Sequence, residues 1–366
     1  MQLGLALGSA GYLLLCTEAG FLPGLALIAA GLGCSGTLKA QVGALYAADD
    51  PARADGYQLF SASAPVATIA APLVCGLLDA RLGPRWGFAG AAAASLLGLL
   101  FYLAAKQHLP PDPQRRARRG PRPPRVAGDR LRVAGLLGLL PVLSLAVLGN
   151  MELFNGYLIW AGRSYRLDWA GHRIPVGWML SFDSVVSLAT TLASVLFWRW
   201  WSRRHREPGE LAKMAGASLL LAAAPCILAL ASARHPHGGV GFGWALAFHL
   251  LNDLGFSNLY PVGLSLFYRV APARFATTLV NAYALHLFAA NLILSRLAGL
   301  LDTMPAARFW ALHAVLIGLA APALAAGALA GRRMRNTRQL FSPARATRLG
   351  RNSREASHPI HSDDPA

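Results

Sequence analysis

Apolar residues run along this chain in long unbroken stretches, and the short segments between them carry nearly all of its charge. A helix that crosses the roughly 30 Å hydrocarbon layer of a bilayer needs about 20 mainly apolar residues. Ten stretches meet or approach that requirement: 3–16, 22–46, 57–78, 86–105, 133–160, 176–200, 214–233, 241–268, 277–301 and 309–330. The first is short and the fifth is long. Strands of a membrane barrel would alternate apolar and polar residues over about ten positions. These runs are continuous, so the pattern predicts an all-α polytopic membrane protein of about ten transmembrane helices.

Composition agrees with the pattern. The chain of 366 residues is 55% apolar and 14% charged, with a mean hydropathy of +0.41. A soluble domain carries about 25% charged residues, so the deficit points to lipid as the solvent. The net charge of +17 could suggest a nucleic-acid partner, but the 34 Lys and Arg lie between the apolar runs rather than on one face. Cys16, Cys34, Cys75 and Cys226 sit inside apolar stretches without metal-ligand spacing, and the expectation is four buried small hydrophobes. The first apolar run lacks a basic n-region and is followed by further spans, so it reads as a span and not as a cleaved leader.

Charge placement sets the expected topology. With alternate loops assigned to opposite sides, one side holds 25 Lys and Arg, including nine between Lys106 and Arg132 and eight from Arg332 to Arg354. The other holds seven, and Lys39 and Arg296 fall within spans. The richer side is expected to be cytoplasmic, with both termini. The chain divides into a four-span bundle over 1–105, a basic Pro/Arg-rich linker over 106–132, a six-span bundle over 133–332 and a disordered tail over 333–366. The linker, with QHLPPDPQRRARRGPRPPR at 107–125, reads as a solvated, topology-setting cytoplasmic loop near anionic headgroups, not as a nucleic-acid site.

Particular residues carry a family resemblance. The stretch LIAAGLGCSGTLKAQVGALYAADDPARADGYQLF resembles the fourth helix and following loop of the proton-dependent oligopeptide transporter family of the major facilitator superfamily. There the family has a Gly-rich turn, Lys-Pro-Asn and a D-x-x-R-x-x-G-F loop. The counterparts here are Lys39, Ala40, Gln41, Asp50, Arg53, Gly56 and Tyr57. APLVCGLL and RWGFAGAAAASLLGLLFY resemble the family's fifth and sixth helices, HRIPVGWMLSFD its eighth and YPVGLSLFYRVAP its tenth. The resemblance implies a major facilitator fold in which this chain supplies helices three to twelve of twelve, without the first two and their Glu-x-x-Glu-Arg motif. A competing register, in which GLLDARLGPRW at 76–86 is the general facilitator loop on the cytoplasmic side, would turn the 25 charges outward, and the charge bias excludes it.

Departures fall on positions that do the family's chemistry. Ser61 and Pro65 stand where the family has Tyr and Asn in the fifth helix, and Phe256 stands where the tenth helix has a Glu. Ionisable groups in hydrocarbon cost several kcal/mol, so they face a cavity or a partner and mark functional sites. Lys39, Glu152, Asp183, Asp253 and Arg296 are such groups. Lys39 and Asp253 would belong to opposite bundles, so a proton on Asp253 would release Lys39 as access alternates; the alternative is a static ion pair. Glu152 lies close to the acidic and amide residues of the family's seventh helix and is a second candidate proton site. Asp183 stands where the family has Asn near the substrate cavity, the alternative being a helix-packing hydrogen bond. Asn150, Asn155, Tyr157, Asn252, Asn258, Tyr283, His286 and Asn291 add a polar set for the cavity. His249 and His286 could relay protons or simply hydrogen-bond to neighbours, and Arg296 could snorkel to the headgroups.

No GxSxG, P-loop, HExxH or Rossmann glycine pattern occurs, so neither enzyme chemistry nor ATP-driven transport is expected. The expectation is a monomeric inner-membrane secondary transporter without metal or organic cofactor. It would use protons as coupling ion and carry a small peptide or peptide-like zwitterion by symport. A different small solute, or a non-transporting membrane protein, is the alternative.

Overall fold

The computed structural model describes residues 2–33, 52–108, 128–169, 171–272 and 274–340. The first bundle contains α1 (Gln2–Leu14), α2 (Phe21–Gly33), α3 (Ala52–Leu82) and α4 (Pro84–Ala105), which ends in a short 3-10 turn. The second begins with three pieces in line: α5 (Asp129–Ala146), α6 (Leu148–Glu152) and α7 (Gly156–Ser164). A hairpin of β1 (Asp168–Trp169) and β2 (His172–Arg173) then leads to α8 (Trp178–Ser202), α9 (Glu210–Arg234) and α10 (Phe242–Val270). The chain closes with α11 (Ala276–Ala282), α12 (Leu285–Leu297), α13 (Leu300–Thr303), α14 (Ala306–Gly318) and α15 (Ala320–Leu340).

Where its residues are described, each of the ten apolar stretches falls mainly on helix, and the protein is a polytopic membrane protein. Six helical segments among the described residues are long and apolar enough by themselves to cross a membrane: Ser63–Leu82, Pro84–Ala105, Trp178–Ser202, Glu210–Arg234, Thr278–Thr303 and Ala306–Ala330. Two shorter apolar helices are α1 and α2, the second running up to the undescribed residues 34–51. The stretches 133–160 and 277–301, read as single spans, are interrupted by short breaks. Most of the linker (109–127) and of the tail (341–366) lies outside the described residues, and α15 continues past residue 332 to Leu340.

The outer surface shows which solvent the fold expects. Large apolar side chains such as Leu22, Phe101, Leu192, Phe288 and Val315 are exposed around the perimeter. In water a ring of this kind would drive aggregation, whereas against lipid tails it carries no penalty. The expectation of four buried cysteines needs correction for the same reason: Cys16 and Cys75 are half-buried and Cys226 is exposed, because hydrocarbon accepts a thiol on the outer face as readily as the core does. Cys34 lies outside the described residues.

Lipid supplies no hydrophobic drive between helices, so close backbone approach decides where they pack. On α1 and α2, Gly11 faces Gly24: a Cβ on either would lie 2.7 Å from the other's carbonyl oxygen. The Ser9 hydroxyl reaches Ser95 Oγ at 2.9 Å and ties α1 to α4. In the second bundle, α9 is the central helix, packed against α10, α14 and α15, while α8 lies along α10 and α12 along α5.

The interior of the second bundle has two apolar layers. One is built around Leu143, Met214, Leu221, Phe267, Leu279 and Leu324. The other is aromatic, built around Tyr157, Trp160, Phe248, Phe309 and Trp310. Between them, where α5 gives way to α6 and α7, lie the buried polar residues Asn150, Glu152, His249, Asn252, Asp253 and His313.

The halves meet along α3 and α8. Pro72, inside α3, has no N–H to give to the Thr68 carbonyl, and that oxygen accepts the Ser184 hydroxyl of α8 at 3.2 Å. Ser181 Oγ donates to Ile69 O at 2.7 Å, and Trp178 Nε1 donates to Leu73 O at 3.1 Å. Gly177 comes to the same place, where its Cβ would lie 3.6 Å from Gly76 Cα.

Candidate functional site

The site is built around one discontinuity. The run LGNMELFNGYLIW is apolar enough to continue as helix, yet helical geometry stops at Glu152 and restarts at Gly156. Such a break frees backbone groups that hydrocarbon cannot satisfy. Two side chains of the run supply partners. Glu152 Oε1 accepts the Gly156 N–H at 3.1 Å, and Asn155 Nδ2 donates to Met151 O at 2.8 Å. The other carboxylate oxygen, Glu152 Oε2, has no hydrogen-bond partner and lies 3.9 Å from His313 Nε2 of α14, which also has none. Both residues are buried, at 1% and 0% exposure.

A second constellation joins α7, α8 and α10. His249 is fully buried with both ring nitrogens engaged: Nδ1 lies 2.7 Å from Asp183 Oδ1, and Nε2 lies 2.7 Å from the Tyr157 hydroxyl. The Tyr157 hydroxyl is in turn 3.5 Å from that of Tyr165, just past the end of α7. Asp253, one helical turn beyond His249, completes the group. Its Oδ1 accepts a 3.3 Å bond from Asn252 Nδ2, while its Oδ2 is buried without a partner. One ligand-type atom from each of Asp183, His249 and Asp253 lies within 4.8 Å of the others. The Tyr157 ring is held by a stack on Phe248 at 5.0 Å, by the tilted ring of Trp160 and by an edge contact with Trp310.

The three donors Asp183, His249 and Asp253 have the spacing of a cation site, but the fit is incomplete. A transition metal could reach a ring nitrogen only by displacing the hydrogen bond to Asp183 or to Tyr157. Two carboxylates held this close in hydrocarbon repel each other strongly unless a proton or a cation lies between them.

The residues singled out from sequence thus separate into groups. Asp183, Asp253, Asn252 and Tyr157 come together, joined by His249. Glu152 is a separate site with His313, which the sequence reading passed over although an ionisable residue in the apolar run FWALHAVLIG meets the same criterion as the others. Tyr165 was passed over as well, and nothing in the sequence marks it. Asn258 accepts from Trp198 Nε1 at 2.6 Å, donates to Ser194 Oγ at 2.9 Å, and borders a cavity of about 560 Å³ among α8, α9 and α10. Beside it, Lys213 pairs with Glu207 and stands 4.0 Å from the Trp198 ring centroid. Tyr283 donates to Tyr260 O at 2.8 Å, and His286 Nδ1 bonds to the Tyr283 carbonyl. Asn155 reaches the exposed Asn291 at 3.4 Å, and Asn150 is buried at 7% exposure. Arg296 is exposed on α12. Lys39, expected opposite Asp253, lies outside the described residues.

A second cavity, of about 740 Å³, opens where α3 meets α8 and the start of α10. Leu73, Arg166, Asp168, Trp178, Phe182 and Phe242 line it. The Phe182 ring separates it from the buried group, standing edge-on to the His249 ring at 5.2 Å.

Comparison with known proteins places this arrangement. A solved peptide transporter of the POT family in complex with sulfate superposes with a TM-score of 0.80 at 20% identity, over 90% of this chain and 79% of that one. A POT family transporter in complex with a thioalcohol-conjugated peptide gives 0.75 at 16%, over 89% and 80%. The POT family transporter PepTSo gives 0.72 at 14%, over 91% and 83%. At these identities the likeness is one of fold. The uncharacterized transporter YclF of Bacillus subtilis (strain 168) is 24% identical over 320 residues, covering 72% of this chain. The chain spans 64% of that relative's length. The profile of the Major Facilitator Superfamily matches residues 1–295. This chain, a bundle of membrane-spanning helices with buried carboxylates in the seam of its second half, belongs to the Major Facilitator Superfamily.

Proposed function

We propose that this protein is a proton-coupled secondary transporter that carries small peptides or peptide-like solutes into the cell by alternating access. It would work from the inner membrane with both termini in the cytoplasm. The observation that carries the reading is the pair of unsatisfied carboxylate oxygens, Glu152 Oε2 and Asp253 Oδ2, in the interior of a membrane bundle. Among the described residues no Lys or Arg pairs with either. A carboxylate in such a place takes up a proton when it is cut off from water and gives it back when water returns. Opening and closing the bundle on alternate sides would therefore carry protons down their gradient. The separation along α3 and α8 is the motion that would expose the seam.

The solute follows from less. The fold shared with peptide transporters supports a zwitterionic solute of a few residues. Phe256 favours a second reading within transport: it stacks on Tyr260 at 5.3 Å and presents an apolar ring where the family resemblance implies a carboxylate. That second reading is a different small solute, one that does not require a carboxylate at this position.

Reconstitution tests the reading. Full-length protein in liposomes should accumulate a radiolabelled di- or tripeptide when the outside is made acidic, and accumulation should collapse with an uncoupler. Absence of gradient-dependent uptake for every peptide tried would refute the peptide claim. A thermal-shift screen across amino acids, peptides and drugs would then identify the solute of the second reading.

A further inference from the structure

A proton that reaches Asp253 from outside has to cross the aromatic layer, and that layer contains one hydrogen-bonded thread. From the Tyr165 hydroxyl the next polar atom is the Tyr157 hydroxyl at 3.5 Å. His249 Nε2 follows at 2.7 Å, and Asp183 Oδ1 lies 2.7 Å from His249 Nδ1. Asp253 is within 4.8 Å of both. We propose that Tyr165, Tyr157 and His249 form a proton relay that loads the Asp183–Asp253 carboxylate pair from the cavity beside the β1–β2 hairpin.

Three features distinguish a relay from a static buried network. It is linear, so each hydroxyl or ring has one neighbour toward the hairpin and one toward the carboxylates. It starts next to a cavity: Tyr165 is itself buried, but the residues that follow it, Arg166, Leu167 and Asp168, line the 740 Å³ cavity. It also ends at a carboxylate pair with a free acceptor: the thread reaches Asp183, and beside it Asp253 Oδ2 is buried without a partner. A static network would have used that oxygen.

Other ionisable groups around His249 are accounted for. Its own helix brings Asp253, α8 brings Asp183, and α7 and its end bring Tyr157 and Tyr165. The buried residues of α9 include none that ionise. His313 of α14 faces Glu152 instead.

The step balances. In the structure the Tyr157 hydroxyl donates to Tyr165, the arrangement that loading leaves behind; before loading the hydroxyls are turned, so that Tyr165 donates to Tyr157, Tyr157 donates to His249 Nε2, and His249 Nδ1–H donates to the Asp183 carboxylate. A hydronium ion in the cavity gives a proton to Tyr165 and leaves as water, while Tyr165 passes its own proton to Tyr157 and Tyr157 passes its own to Nε2. At the same time the Nδ1 proton moves to Asp183. Each hydroxyl ends with one proton, the imidazole is neutral in its other tautomer, and the carboxylate pair has lost one negative charge.

This inference deepens the proposed coupling, but its test needs no solute, so failure of peptide uptake and failure of the relay are separate results. Full-length protein in lipid nanodiscs is given a pulse of photo-released protons, and the protonated-carboxyl band is followed by time-resolved infrared spectroscopy. Asp183→Asn and Asp253→Asn identify the band by removing it. Tyr157→Phe should slow its appearance at least about 100-fold, the low end of what a positioned acid–base group contributes, while leaving its final amplitude intact. Tyr165→Phe, where the ring stays and only the hydroxyl is lost, should do the same and serves if the Tyr157 variant does not fold. A role in packing alone would change the amplitude or the melting temperature and leave the rate. An unchanged rate in both tyrosine variants overturns the relay, as does a band that survives both Asp→Asn changes.

Discussion

Ser181→Ala combined with Ser184→Ala should loosen the contact between the two halves without touching the core of either. The two hydroxyls donate across the interface to Ile69 O at 2.7 Å and Thr68 O at 3.2 Å, and the second acceptor is the carbonyl that Pro72 leaves without its helical partner. Interhelical hydrogen bonds in membranes contribute about 0.6 kcal/mol on average and up to about 1.7 kcal/mol. The Thr68 bond shares its donor, since the Ser184 hydroxyl also reaches Leu180 O of its own helix at 2.9 Å, but no N–H within α3 can replace it. Together the two changes should cost the closed arrangement about 1–3 kcal/mol, which moves a two-state equilibrium about 5- to 150-fold. Spin labels at Arg81, near the end of α3, and His172, in the hairpin before α8, are both exposed and report on the separation by double electron–electron resonance. The double variant should show a longer-distance population that the unsubstituted protein lacks or holds at a low level. Ser202→Ala is the control, because that hydroxyl bonds only to Arg199 O of its own helix. A distance distribution unchanged by the double substitution, or changed equally by the control, would refute the idea that these bonds hold the halves together.

Asp253→Asn should abolish peptide accumulation driven by an imposed pH gradient in proteoliposomes; retained gradient-driven uptake would place coupling elsewhere. Glu152→Ala should lower the melting temperature in detergent more than Glu152→Gln. The amide keeps an acceptor for the Gly156 N–H, and loss of that buried bond costs about 1–3 kcal/mol. Gly255→Leu should destabilise the second bundle by about 1–3 kcal/mol in chemical unfolding, since even a Cβ there would stand 2.6 Å from Leu221 Cγ and 3.0 Å from Ala217 O. Treatment with a strong chelator should leave the melting temperature where it was, because His249 already has both nitrogens engaged. A clear fall would show that Asp183, His249 and Asp253 hold a cation.

The sequence by itself determined that the protein crosses a membrane and where. Burial in lipid acts on length and mean polarity, which are local properties, so the ten apolar stretches could be read without any knowledge of packing. Part of the chemistry was equally local, since a carboxylate inside such a stretch, as at Glu152, Asp183 or Asp253, stands out against its neighbours. What each carboxylate meets is not local. Lys39, which the sequence reading set opposite Asp253, lies outside the described residues; among those described, Asp253 stands beside Asp183 and His249, brought in by α8 and by the neighbouring turn of α10. His313 turns toward Glu152 from more than 150 positions away because α14 packs beside α6. The break after Glu152 was invisible for a related reason. Its residues would sustain a helix, and the chain departs from one only because Glu152 and Asn155 satisfy the freed backbone groups in a place that tertiary packing keeps dry. Hydropathy is a sum along the chain, whereas helix rotation and contact depend on pairs of residues distant in it. Only the folded bundle brings those pairs together.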